Sequence, residues 1–401
     1  MPVYRRFIEF FGLKKSIAGL LCMVLLIGMG EKMSERFLPV YLMALGGGAL
    51  GIGLLNGLNN LLSALYSFPG GYLSERIGPK KSLLVFNIIA ILGFLIVILV
   101  PHWIAVIVGA CFFLSWTAVS LPATMSLIAD ILPKNKRTMG VTVHSLIRRI
   151  PMALGPVLGG MCIEVWGVTD GIRIAFVIAT VLALVATVIQ QILIEEKNQK
   201  KAEMPEKNPL KFLKYLTPPL RMLLVSDILV RFCEQIPYAF VVIWCMKTIA
   251  HPVTPVEFGL LTTVEMTTAV LVYIPVAYLA DKTSKKPFVI ITFAFFTLFP
   301  LSLLFCHSFM WLLPAFVLRG LKEFGEPTRK AMIMDLAPEG LKASVFGLYY
   351  LIRDTIVSLA AFGGAFLWEL SPSMNFIAAF IFGMIGTVGF AIFGKDMQEH
   401  K

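Results

Sequence analysis

The sequence predicts an all-α membrane protein: 12 transmembrane helices in two six-helix bundles related by a pseudo-twofold axis. Three observations carry that reading. Apolar residues make up 58% of the 401-residue chain and charged residues only 15%, at a mean hydropathy of +0.83, outside the range of soluble domains. Apolar stretches of roughly 20 residues, the length that crosses a bilayer core, follow one another almost end to end. The second half of the chain also repeats the first.

The predicted spans are 16–43, 50–68, 82–100, 104–130, 140–163, 172–194, 219–247, 257–278, 287–305, 309–336, 344–368 and 373–394. Several exceed an upright crossing, which implies tilt or kinks.

Basic residues cluster in alternate connections: Arg5, Arg6, Lys14 and Lys15 before the first span, then Arg76, Lys80 and Lys81, then Lys134, Lys136 and Arg137, and later Lys282, Lys285 and Lys286. The positive-inside rule then places both termini and the long middle connection in the cytoplasm, in a multi-pass protein of the plasma membrane. The net charge of +11 is therefore orientation rather than nucleic-acid affinity. The first apolar run is too long for a signal-peptide core and carries Glu31, Lys32, Glu35 and Arg36 near its end, so it reads as a retained helix. Six cysteines stand singly in apolar spans and read as packing residues.

Residues 195–217 form the one long polar stretch and divide the chain into bundles at 1–194 and 218–401. A shift of 205 lays Pro122 on Pro327, Asp130 on Asp335, Arg148 on Arg353, Gly159 on Gly364 and Glu164 on Glu369. A shift of 206 lays Gly53, Pro69, Tyr72 and Glu75 on Gly259, Pro275, Tyr278 and Asp281. Repeats in the same orientation imply a path between bundles that rock to expose it to alternate sides.

The segment Gly71-Tyr72-Leu73-Ser74-Glu75-Arg76-Ile77-Gly78-Pro79-Lys80-Lys81 closely resembles the cytoplasmic signature loop of the major facilitator superfamily, with Pro79 in place of one basic residue. The resemblance implies a cytoplasmic gate built from Gly71, Glu75, Arg76, Gly78 and Lys80, with Arg76 facing Asp130 and Glu75 facing the eleventh helix near Ser344. A second copy, from Ala280 and Asp281 to Lys285 and Lys286, lacks the glycines and implies Asp335 as partner. Gly155-Pro156-Val157-Leu158-Gly159-Gly160 resembles the motif of the superfamily's drug and metabolite antiporters, with Pro151 where a glycine is expected; the alternative is a kink and close packing.

Ionisable groups at membrane depth are costly, so they are the candidates for function. Glu31 and Glu35 share one face of the first helix, with Lys32 and Arg36 beside them. Asp227, Arg231 and Glu234 form one stripe on the seventh, and the eighth has Glu265. The tenth carries Arg319, Lys322, Glu323 and Glu326, with Arg329 and Lys330 one turn nearer the cytoplasm and Pro327 as a bend. Arg148, Arg149, Arg353 and Asp354 complete the set. Leaving out Arg329 and Lys330, which lie nearer the cytoplasm, eight acids oppose eight bases, 8 − 8 = 0, so substrate charge is not legible and mutual neutralisation is the competing explanation. Glu31, Glu35, Glu234 and Glu323 are the expected proton carriers, and Arg148 and Arg353 the expected contacts of an anionic or polar solute. Aromatic residues nearby, Trp116, Phe324, Tyr349 and Tyr350, line a cavity or simply pack.

The resulting expectation is a monomeric secondary transporter, with a small-molecule substrate, protons and the lipid bilayer as partners, working by proton-coupled export. The alternatives are an uptake symporter for an organic anion and a lipid-translocating or transport-inactive receptor member of the fold. No nucleotide-cradling motif, catalytic triad or metal-ligand spacing occurs, so the proton gradient rather than a cofactor is the expected energy source.

Overall fold

Apolar segments in lipid must satisfy their backbone hydrogen bonds internally, and helices do so within one segment. In a computed structural model, which describes residues 15–114, 116–131, 137–195, 213–280, 284–337 and 342–395, every regular element among the described residues is helical. In chain order they are α1 (Lys15–Glu35), α2 (Leu38–Ala44), α3 (Gly48–Ile77), α4 (Pro79–Leu99), α5 (Trp103–Phe113), α6 (Trp116–Ile131) and α7 (Arg137–Leu193). There follow α8 (Pro218–Gln235), α9 (Val241–Ile243) continued by a π-helical turn (Trp244–Thr248), α10 (Pro255–Ala280), α11 (Lys286–Leu303), α12 (Phe309–Leu321), α13 (Glu326–Leu336), α14 (Lys342–Leu370) and α15 (Pro372–Phe393).

Each of the twelve predicted spans coincides with a helix, a broken pair of helices or one limb of α7. The 57 residues of α7 hold two spans, because Gly167 leaves helical geometry at φ 78° and the limbs fold back on each other. A Cβ on Gly171 would lie 2.4 Å from the Cys162 carbonyl oxygen, so the hairpin needs glycine there. Pro151 and Pro156 are carried within the first limb. Large apolar side chains such as Leu99, Met310 and Leu370 stand on the outside, as a lipid solvent requires.

The second span is longer than expected. Helix α3 runs on to Ile77, so Gly71 is helical rather than part of a loop, and the turn is made at Gly78 with φ 89°. Polar Ser74, Glu75 and Arg76 lower the hydropathy without breaking the helix.

Four spans are broken: 104–130 between α5 and α6, and three others at or beside a proline. A proline has no N–H and its ring clashes with the carbonyl four residues earlier. Pro39 thus ends α1 at Glu35 before α2 begins, and Pro327 excludes Glu323 from a continuous helix, so α12 and α13 are separated at 322–325. The third of these breaks follows Gln235 in α8, where the Phe240 and Val241 N–H groups donate to the Pro237 carbonyl at 2.8 and 3.0 Å. Two carbonyls at this break are capped by asparagines: Asn375 Nδ2 donates to Ile236 O (3.3 Å), as well as to Gly364 O of α14 (2.7 Å), and Asn56 Nδ2 donates to Gln235 O (3.2 Å).

The chain forms two compact units, one of residues 1–47 and 62–203, the other of 48–61 and 204–401. Most of the polar connection at 195–217 lies outside the described residues. In the first unit α1 lies in a glycine-lined trough of α7: a Cβ on Gly155 would meet Lys32, and one on Gly159 would lie 1.9 Å from the Met33 carbonyl oxygen. The second unit repeats this, with Gly364 of α14 only 2.3 Å, at Cβ, from the Ile236 carbonyl oxygen. Gly159 and Gly364 are the pair matched by the 205-residue shift, so the internal repeat extends to a specific helix contact. The first unit is filled by Phe94, Phe113 and Phe176 with ring centroids 5.1–5.8 Å apart. The second packs Leu223, Phe293, Val345 and Phe390.

Candidate functional site

In the second unit, the stripe on α8 organises a continuous network of buried charges. Asp227, 1% exposed, pairs with Arg329 of α13, accepts from Tyr349 Oη at 3.0 Å, and lies 3.4 Å from Arg353 Nη1 and 3.8 Å from Arg231 Nε. Arg231 reaches Glu234 (2.6 Å) and Glu326 (3.2 Å), while Arg329 holds Glu326 at 2.7 Å. Further along α8, Lys322 Nζ is 2.9 Å from Glu234 and 3.5 Å from Glu265, and Arg319 lies 3.3 Å from Glu265. At the other end Arg353 is held by Asp354 at 2.6 Å.

These cations also lie on aromatic faces, which favour them electrostatically. Arg231 is 4.9 Å from the Phe296 ring centre, Arg319 5.0 Å from Phe299, and Arg353 4.2 Å from Tyr350. A small cavity opens on Glu234, Arg319 and Lys322 and is walled by Tyr238, Phe295, Phe296 and Phe299.

Two features set what this arrangement can do. Single cations are shared by several acids, Arg231 by Asp227, Glu234 and Glu326, and Lys322 by Glu234 and Glu265. One oxygen of the fully buried Glu265, Oε1, is in turn shared by two cations, Arg319 and Lys322. Removing charge from one acid therefore frees a cation for another at little displacement, which is the chemistry of a remakeable pair.

In the first unit Glu31, 3% exposed, accepts from Lys32 at 3.1 Å, and Lys32 also pairs with Glu35. Arg36 follows α1 at its break, and Arg148 lies on the first limb of α7, half-buried. Glu323 sits in the gap between α12 and α13.

The symmetric arginines differ in surroundings. Arg353 has two carboxylates, Asp354 and Asp227, and not Glu265, which Arg319 and Lys322 take. Arg148 has no hydrogen bond or ion pair with any described residue; the acid acting on it electrostatically is Glu31.

Of the gate residues, Gly78 forms the turn between α3 and α4. Lys80 Nζ donates to the Gln191 carbonyl (2.9 Å), and Gln190 Nε2 returns a bond to Lys80 O (2.7 Å). Gln190 in turn accepts from Asn87, which accepts from Trp116 Nε1, each at 2.9 Å, so a buried polar chain leads from this turn to α6. Asp335 pairs with Lys285 of the second loop copy. Glu75, Arg76 and Asp130 lie on helices, but their side chains, like Ser344 and the whole of Asp281, lie outside the described residues.

Asp227, Glu265, Lys322 and Glu326 were intramembrane candidates without an assigned role, and Arg329 was set nearer the cytoplasm, yet each belongs to the network. The i, i+4, i+7 spacing on α8 was the available signal for Asp227. Arg329 looked like a residue of the cytoplasmic end because it follows Pro327; the break lets α13 carry it back to α8 instead.

The model of the Major Facilitator Superfamily matches residues 20–250 and again 223–401. An uncharacterized MFS-type transporter of Methanocaldococcus jannaschii is 22% identical over 371 residues, 89% of each chain. The uncharacterized MFS-type transporter YfkF of Bacillus subtilis is 30% identical over 30% of this chain and 31% of its own. Among solved structures, a POT family transporter in complex with 5-aminolevulinic acid superposes with a TM-score of 0.77, covering 94% of this chain and 95% of that one at 13% identity. A peptide transporter POT variant in complex with alafosfalin gives 0.75 over 94% of each, again at 13% identity. At that identity the likeness is one of fold. With both repeats matched by the family model, and helices, internal repeat and signature segment all in agreement, the chain belongs to the major facilitator superfamily of membrane transporters.

Proposed function

We propose that this protein is a proton-coupled secondary transporter that exports a small organic solute by alternating access. The observation that supports it best is the sharing of Lys322 and Arg231 among buried acids, because protonating one acid redistributes its cation to a neighbour. Glu234 is the acid of the second unit placed for this exchange, with Glu323 at the adjacent break. Glu31 and Glu35, which share Lys32, are their counterparts in the first.

Export is supported by the resemblance of Gly155-Pro156-Val157-Leu158-Gly159-Gly160 to the antiporter motif. Here those glycines also seat the turn of α1 that carries Glu31 and Glu35, so movement along this contact is felt directly by the acids. Uptake of an organic anion by symport is the second reading, favoured by Arg148, which makes no ion pair with another described residue. The Gly78 turn and the Lys285–Asp335 pair serve as cytoplasmic gate elements, with both termini on that side of the plasma membrane and a monomer as the working form.

A proteoliposome screen of organic solutes with an internal pH-sensitive dye tests this. Solute supplied on one side drives protons the opposite way in an exporter of this kind. Co-movement indicates symport, and no proton signal from any transported solute refutes the coupling.

A further inference from the structure

Two helices of the first unit turn polar stripes toward one pocket. Thr117, Ser120 and Thr124 recur at i, i+3 and i+7 on α6, and His144 and Arg148 at i and i+4 on α7, so each set shares one helix face. All five, with Trp116, line one small, partly open pocket. His144 is 3% exposed, yet neither it nor Arg148, Thr117 or Thr124 has a side-chain hydrogen bond or ion pair with another described residue. Ser120 makes only a 3.5 Å contact with the Thr117 carbonyl. Their polar atoms are thus left open to the pocket.

From this geometry we infer that the pocket is the subsite for an oxyanion group, a carboxylate or phosphonate, of the transported solute. The guanidinium supplies the charge and a two-donor fork, and the hydroxyls and imidazole supply neutral donors. The neighbouring charges fit this assignment. Glu31 acts on Arg148 but is held by Lys32, and Arg149 adds a second positive field. Trp116 Nε1 is committed to Asn87, so its ring is a fixed wall and not a donor. The inference rests on the transport reading for its physiological meaning, and binding can be measured without transport.

The test uses the purified full chain in detergent, with benzoate, phenylphosphonate and neutral benzamide as probes and thermal unfolding as readout. Both anions, or the better fitting of the two, should raise the melting temperature of the unaltered protein while benzamide does not. Arg148→Gln should weaken anion binding about tenfold or more, Thr124→Val less, and Arg148→Lys should restore part of it. Equal stabilisation by benzamide, no stabilisation by either anion, or an unchanged anion response in Arg148→Gln would overturn the assignment. Retained anion binding in protein that moves no solute would leave the subsite standing and remove the transport reading; transport without anion binding would do the reverse.

Discussion

Arg329 and Asp227 form an ion pair in which each side chain is only 1% exposed, and the same carboxylate also accepts from Tyr349. With so little water available, removing one partner leaves a buried charge imbalance that the remaining neighbours, Arg353 beside Asp227 and Glu326 beside Arg329, offset only in part. Asp227→Asn or Arg329→Gln alone is expected to destabilise the protein by about 3–5 kcal/mol, and the double variant to recover part of that loss. Thermal unfolding of the four proteins in one detergent measures the coupling. Additive losses would show that the pair is not a unit.

The glycine troughs make a sharper distinction, since they depend on single methyl groups. Gly159→Ala and Gly364→Ala place a Cβ 1.9 and 2.3 Å from backbone carbonyl oxygens, which no rotamer change relieves. Both should sharply reduce folded protein. Gly363→Ala, one residue along α14 with no atom within 4 Å of its added Cβ, should be tolerated. Comparable yields of all three on size-exclusion chromatography would contradict the close approach of α1 to α7 and of α8 to α14.

The break after Gln235 leaves carbonyls that need donors away from water. Asn375 serves one of them, Ile236 O, and ties it to Gly364 O of α14, so Asn375→Leu is expected to cost about 1–3 kcal/mol. Amide exchange around residues 236–240 should rise together with the loss in melting temperature. Unchanged exchange there would mean that the capping role is wrong.

The spans were legible because bilayer thickness sets their length and hydropathy marks it to within a few residues, as at 16–43 against α1 and α2. The extension of α3 to Ile77 was not, because hydropathy detects where a helix leaves lipid and not where it stops. The stripe of Asp227, Arg231 and Glu234 was visible in one helix, whereas their partners come from α13 and α14, and pairing between distant segments leaves no local pattern. The pocket around His144 was equally hidden, since isolated threonines and a histidine in apolar helices resemble ordinary packing residues. The Gly155–Gly160 segment carried two meanings at once, and its packing role became visible only when Met33 was found against Gly159.

The account turns on buried acids that release a shared cation when they take a proton. The most direct test compares pH-gradient-driven movement with solute exchange at equal pH, in proteoliposomes of the unaltered chain and of Glu31→Gln, Glu35→Gln, Glu234→Gln and Glu323→Gln. Loss of gradient-driven movement with retained exchange, in Glu234→Gln or one of the other three, is the predicted result; full gradient-driven movement in all four would contradict it.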